Sequence, residues 1–303
     1  MNIIVTGSTG LIGSALVPTL IAAGHHVTRF VRGSSTTEVA GTRAVVWNPR
    51  ENKIDKTEIE THDAVIHLAG ESVAEGRWTE DKKRRILESR VESTRLLASA
   101  IAEATTRPRV YIGASATGFY GNERDDEVLT EQSAKGTDFL AHVVEQWEAA
   151  AQPVIAANVR SVFLRFGIVL SEKGGALLKL LTPFKLGAGG KLGSGTQYMS
   201  WVAMDDAIAA ILHALEDESL SGAVNVVAPH PVTNAEFTET LARVLHRPAV
   251  FTVPAFAMRL AFGEMADAAL LKGQRVIPEK LEAGGFTFKY PHLEAALRHL
   301  ITT

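Results

Sequence analysis

Met1-Asn2-Ile3-Ile4-Val5-Thr6-Gly7-Ser8-Thr9-Gly10-Leu11-Ile12-Gly13 is the stretch that decides the fold. It reads as a short apolar strand, a glycine turn and the start of a helix. A β-branched run ahead of the turn suits a buried parallel strand. Gly7 permits a tight turn, Gly10 lets a backbone approach a pyrophosphate, and Gly13 lets helix and strand pack closely. The helix N-terminus then offers free N–H groups and the positive end of its dipole to phosphate oxygens. Three glycines at this spacing also occur in ordinary strand-to-helix turns. The context argues for the ligand. Leu11, Ile12, Ala15, Leu16 and Leu20 follow at helical spacing, Gly24 stops the helix, and a second strand opens at His26. The predicted ligand is a dinucleotide, held by Gly7, Thr9, Gly10, Leu11, Ile12 and Gly13. Pro18 removes one helical hydrogen bond and is expected to bend the axis.

Outward from this loop, strand-like and helix-like runs alternate. Strands are predicted at Ile3–Thr6, Val27–Val31, Ala44–Trp47, Ala64–Leu68, Val110–Ala114 and Ser161–Phe166. Helices are predicted at Leu11–Ala23, Thr79–Thr105 and Thr137–Ala150. Such alternation predicts an α/β fold, a Rossmann-type doubly wound parallel sheet with helices on both faces. Beyond Gly167 the texture becomes glycine- and loop-rich. Helices are predicted there at Asp205–Glu216, Asn234–Leu245, Pro254–Lys272 and Leu293–Leu300, with a strand at Ala223–Ala228. The expected division is a dinucleotide lobe over residues 1–170 and a smaller α/β substrate lobe, mainly residues 171–303. The boundary is soft, the lobes interleave, and substrate lies between them.

The end of the second strand decides between NAD and NADP. A carboxylate about 20 residues past the glycines would bind the ribose hydroxyls of NAD. Here the sequence reads Arg29-Phe30-Val31-Arg32-Gly33-Ser34-Ser35, with no carboxylate before Glu38. A guanidinium there can pair with a 2′-phosphate. NADP is therefore predicted over NAD, with Arg32 as its contact and Ser34 or Ser35 assisting. In the plainer alternative, Arg29 and Arg32 are solvated edge charges. The small residues closing the fourth strand, Leu68-Ala69-Gly70, let backbone lie beside a nucleotide. His67 reads as a satisfied, half-buried histidine.

Composition narrows the class. The chain has 303 residues, 46% apolar and 21% charged, which is ordinary for a globular protein. A net charge of −3 gives no reason to expect nucleic-acid binding. The basic run Lys82-Lys83-Arg84-Arg85 reads as a solvated helix face. With no cysteine, thiol nucleophiles and Cys-ligated metals are excluded, and no metal site is predicted. No apolar run reaches membrane-span length, and no signal segment precedes the first strand. A cytoplasmic enzyme with a small-molecule substrate is expected, with a homodimer as one assembly it could form.

Several motifs in order resemble the extended short-chain dehydrogenase/reductases, which include nucleotide-sugar epimerases and dehydratases. They are the glycine loop, His67-Leu68-Ala69-Gly70, Ser115-Ala116-Thr117-Gly118-Phe119-Tyr120-Gly121, Leu164-Arg165-Phe166-Gly167-Ile168-Val169 and Trp201-Val202-Ala203-Met204-Asp205-Asp206. Ala228–Asn234, Arg247-Pro248, Val253-Pro254-Ala255-Phe256, Gly273–Val276 and Gly284-Gly285-Phe286 extend the resemblance. They resemble an atypical epimerase-like subfamily with a C-terminal domain of unknown function, some members of which are labelled cell-division inhibitors. The resemblance implies an NADP-dependent oxidoreductase or epimerase-like activity on a small polar or nucleotide-sugar-like substrate.

One departure limits that implication. Catalytic members of the wider family carry Tyr-x-x-x-Lys with a Ser or Thr upstream. None of Tyr111, Tyr120, Tyr198 or Tyr290 has a lysine four residues on, and the family's helix Asn is missing near Ser89-Arg90-Val91. Four residues remain as catalytic candidates. Ser115 and Thr117 could polarise a substrate carbonyl. Tyr120 could donate a proton, with aromatic packing as its alternative. His142 could act as acid or base, or pair with Glu145 or Glu148 on a solvated face. Glu71–Val73 and Gly76–Trp78 either overhang the cofactor or form a plain surface loop, and Gly193–Trp201 is expected to wall the substrate. A second function stays open: an NADP(H)-binding sensor that has lost the chemistry.

Overall fold

The computed structural model describes residues 1–33 and 38–302. Seven strands make one parallel sheet: β1 (Asn2–Thr6), β2 (His26–Val31), β3 (Thr42–Val46), β4 (Ala64–His67), β5 (Val110–Ala116), β6 (Arg160–Phe166) and β7 (Gly222–Val226). Their order is β3-β2-β1-β4-β5-β6-β7, with every neighbouring pair parallel. The chain therefore reverses its direction of travel between β1 and β4. Ligands of such sheets sit outside the strand C-termini at that switch point.

Strand alternation assigns the two faces. Ile3, Val5, Ala64, Ile66, Val110, Ile112, Val162 and Leu164 join one buried cluster with Leu16, Val17 and Leu20. Those three come from α1 (Leu11–Ala22). Ile4, Val65, Tyr111 and Phe163 point the other way, onto Trp47 and onto Leu97, Ala100 and Ile101 of α2 (Glu80–Glu103). A strand apolar on both faces is covered on both, as a parallel sheet requires. α3 (Phe139–Ala149) follows the loop after β5, and α4 (Met204–Glu216) covers the α1 side through Ala207, Ala210 and Ile211.

Side chains fix the helix starts. Thr79 caps α2 by accepting from Lys82 N, and Asp138 caps α3 by accepting from Ala141 N. α1 continues through Pro18. The sheet takes its seventh strand from beyond residue 170, so the dinucleotide lobe is not built from the N-terminal segment alone. A third cluster, with Leu177, Leu181, Phe184, Trp201, Phe237, Leu241, Leu293 and Leu297, cores the remaining lobe. One predicted helix divides. Pro254–Lys272 forms Ala255–Phe262 and Glu264–Ala269, broken at Gly263, whose φ of 61° leaves the helical region. Among the described residues, no helix is long and apolar enough to cross a membrane.

Candidate active site

The glycine turn is built as tightly as its spacing implies. Gly7 has φ of +68°, and a Cβ there would lie 2.6 Å from the Leu68 carbonyl carbon and 2.8 Å from Ala69 N. A Cβ on Gly13 would lie 2.2 Å from Gly7 O, so α1 could not approach β1 with any side chain present. Gly10 is the N-cap of α1 and brings no side-chain acceptor to the first turn. Ser8 is buried, and its Oγ has no hydrogen-bond partner. A buried hydroxyl without a partner is costly unless a ligand completes it. Uncapped N–H groups, an unpartnered hydroxyl and a wall of backbone fit a diphosphate. Thr9 and Gly10 are exposed at the turn, Leu11 and Ile12 half-buried beside it.

β4 closes the other side. Thr6 Oγ1 accepts from Leu68 N (3.2 Å) and Ala69 N (3.3 Å), which ties the two strand ends together. The same hydroxyl meets His67 Nδ1 at 2.7 Å. His67 Nε2 lies 3.1 Å from Thr94 Oγ1 and 3.2 Å from Ser93 Oγ, both on α2. Burial pushes the His67 pKa down to about 3, so the ring is a neutral strut. Leu68 and Ala69 are half-buried and Gly70 exposed along this edge.

Arg29 and Arg32 part company. Arg29 is buried and its Nε donates to Thr42 Oγ1 at 2.8 Å, so it is no solvated edge charge. Arg32 is exposed. Its charge reaches Glu71, just beyond β4, and helps hold that carboxyl below the usual range. The larger cause is Lys82, whose Nζ donates to Glu71 Oε1 at 2.9 Å. Arg32 follows β2, whose neighbour in the sheet is β1. Ser34 and Ser35 lie outside the described residues.

The end of β5 carries the polar centre. Ser115 is buried and pairs in register with Arg165 on β6. Its Oγ donates to Glu148 Oε1 at 2.6 Å. Arg165 grips the same carboxylate with two forked bonds, Nε to Oε1 and Nη2 to Oε2, each 2.8 Å. Arg165 Nη1 donates to the Tyr120 hydroxyl at 3.1 Å, and that hydroxyl donates to Asn225 Oδ1 at 2.7 Å. Arg165 sits over the Phe119 ring, whose centre is 3.5 Å from Cζ.

The four catalytic candidates are thereby separated. Ser115 and Thr117 stand together at the strand end, Thr117 opening a short turn through Tyr120. Tyr120 takes the packed alternative, its ring edge-on to Phe119. It is fully buried, burial pushes its hydroxyl pKa up, and both hydrogen-bond sides are occupied by Arg165 and Asn225. His142 takes the paired, solvated-face alternative: it is exposed on α3, with Glu145 Oε2 at 3.9 Å. Glu148 and Arg165 were not anticipated as functional residues. Arg165 carried a signal, as a cation inside the apolar run Val162–Phe166, because buried charge demands a partner.

The overhanging segments are anchored. Trp78 is buried and its Nε1 donates to Val73 O at 2.8 Å. Arg77 Nη2 donates to Leu260 O at 3.1 Å, and Lys179 Nζ to Ala74 O at 2.8 Å, so this loop bridges to the other lobe. Gln197 ties the Gly193–Trp201 segment to Leu270 O at 2.9 Å. Among the described residues, no group of three or more His, Asp or Glu side chains could hold a metal ion.

A parallel sheet with a dinucleotide cradle at its switch point is shared by many enzymes, and comparison with known proteins narrows it. Residues 3–227 match the family model described as NAD dependent epimerase/dehydratase family. This chain belongs to that family. Residues 253–300 match a domain of unknown function, DUF1731. Epimerase family protein Mb2239 of Mycobacterium bovis is 42% identical, over 98% of this chain and 97% of its own. The crystal structure of human epimerase family protein SDR39U1 with NADPH aligns over the whole of both chains, at 34% identity and a TM-score of 0.89. A nucleoside-diphosphate sugar epimerase structure from Corynebacterium glutamicum has 38% identity and a TM-score of 0.81, covering 99% of this chain and 58% of that one. The epimerase family match ends at residue 227, one residue past β7, so it spans all seven strands of the sheet.

Proposed function

We propose that this chain is an NADP(H)-dependent oxidoreductase or epimerase-like enzyme acting on a small polar or nucleotide-sugar-like substrate. The observation that carries this reading is the cradle. The α1 N-terminus has no side-chain cap, the buried Ser8 hydroxyl has no partner, Gly7 lies against Leu68–Ala69 backbone, and Arg32 is exposed just after β2, the strand beside β1. The presence of NADPH in the human relative's structure supports the same choice of cofactor. Bound NADP(H) would supply a hydride acceptor or donor.

The chain's own residues do the rest. α1 binds the diphosphate through its first-turn N–H groups. Arg32 pairs with the 2′-phosphate. Ser115 meets the oxygen of the reacting carbon, two strands from the glycine loop in the sheet. The segments anchored through Trp78 and Gln197 would close over that point and exclude water. The polar cluster at Ser115 favours an enzyme over a sensor, because a binding-only site has no use for a carboxylate held at a strand end.

The experiment is turnover. Purified protein is incubated with NADPH and a panel of carbonyl compounds and nucleotide sugars, following nicotinamide absorbance and product composition. We expect turnover of at least one member, lost in Ser115→Ala. Saturable NADPH binding with no turnover across the panel argues for the sensor instead.

A further inference from the structure

We infer that Glu148 is the terminal proton acceptor of this site, reached through Ser115, and that the group Ser115 meets is the hydroxyl of a secondary alcohol. This rests on the oxidoreductase reading above and goes beyond it in naming a residue and a substrate group. An ionised carboxylate has no hydrogen to give, so in the Ser115–Glu148 bond the serine is the donor. A serine has one hydrogen, and here it is committed. What remains free on Ser115 Oγ is lone pairs. They accept from a hydroxyl; they do not polarise a carbonyl. The resting site is therefore matched to the alcohol side of the reaction.

Among the described residues, Ser115 Oγ donates to Glu148 and to no other side chain, and Arg165 cannot take the proton in its place. Its guanidinium stays charged and can take nothing up. By gripping both carboxylate oxygens it holds the carboxylate plane with Oε1 on Ser115. Phe119 under Arg165 and Tyr120 and Asn225 behind it leave the fork no second position. The Arg165 side chain is 5% exposed and that of Glu148 16%, so a proton on Glu148 has a way out to solvent while the arginine stays dry.

The step balances. The carbinol carbon passes a hydride to NADP⁺, and its C–O bond becomes a carbonyl. The hydroxyl proton moves to Ser115 Oγ as the serine proton moves to Glu148 Oε1. In the reverse direction the same two protons return. The charged and titratable groups around Glu148 are Arg165 on β6, Tyr120 in the turn after β5 and Glu131 behind Tyr120. Arg90 on α2 lies over the Trp147 ring, and Glu145 and His142 are on α3 itself.

The test uses NADP⁺ with a panel of secondary alcohols and nucleotide sugars, wild type against Glu148→Gln, Ser115→Ala and Ser115→Thr. Nicotinamide binding and thermal melting are followed in parallel. In wild type, kcat should rise through one ionisation from the acid side. Glu148→Gln and Ser115→Ala should each lower kcat about 100-fold or more and flatten that acid limb, with NADPH affinity unchanged. Ser115→Thr, which keeps the hydroxyl, should keep the limb. A uniform fall with the limb intact means a structural role and overturns the inference, as does an active Glu148→Gln enzyme. If Glu148→Gln does not fold, Ser115→Ala decides alone, since it leaves the ion pair whole. Wild type that binds NADPH and oxidises no panel member overturns the oxidoreductase reading and this inference with it.

Discussion

His67 illustrates how a residue beside a site can belong to the scaffold. It sits at the end of β4, where a histidine could reach a ligand, yet Thr6, Ser93 and Thr94 surround its two nitrogens. Its ordinary pKa of 6.5 falls to about 3 on folding because burial penalises the charged ring. The folded state therefore binds fewer protons than the unfolded one between these values. Stability from this group is complete above about pH 6.5 and drains away as the pH falls toward 3. Near pH 5 the loss should be about 2 kcal/mol, from one and a half units at about 1.4 kcal/mol each. Urea unfolding at neutral pH and near pH 5 tests this: His67→Asn should lose less stability than wild type between the two. A wild type with equal stability at both would contradict it. The sequence alone favoured the satisfied-histidine reading, because the residue closes an apolar strand. Glu148 is not legible in the sequence, because an acid in a helix normally faces water. Only the register that puts Ser115 opposite Arg165 brings the three together.

At the scale of elements, the strand–turn–helix at the N-terminus was legible because three separate steric demands fall on three glycines. The structure sharpens one of them. Gly13 faces Gly7 O so closely that any side chain must displace α1 as a body. Gly13→Ala should cost about 1–3 kcal/mol through overpacking. It should also weaken NADPH binding, because the N–H groups move with the helix. Thermal melting and NADPH titration check both, and wild-type values in each would contradict this account of the loop. The helix predicted over Pro254–Lys272 failed at Gly263. Its apolar composition hid a break that depends on one glycine's backbone angle. The paired short strands Ile168–Leu170 and Trp201–Ala203 also went unseen, each being too short to show a period of two.

For the whole molecule, the C-terminal segment completes a core begun elsewhere. Leu281 joins the cluster of β1, α1 and α4, while Leu293, Ala296 and Leu297 join Leu177, Trp201 and Phe237. A chain ending after Thr252 would open both clusters. With about 2–5 kcal/mol lost for each large buried side chain, such a truncation should not fold. A cooperative melt from the truncated chain would contradict the interleaving. Sequence texture could suggest two lobes but not this sharing, because contacts between distant segments leave no local period. The lobes are tied by the loop ahead of α2, and the glycine loop at the switch point is where NADP(H) would be held. The deciding measurement is titration of the wild-type chain and Arg32→Ala with NADPH and with NADH. Binding should be saturable, with NADPH about tenfold or more tighter than NADH in wild type and that preference lost in Arg32→Ala. Equal or tighter binding of NADH by wild type, or no saturable binding of either, would contradict it.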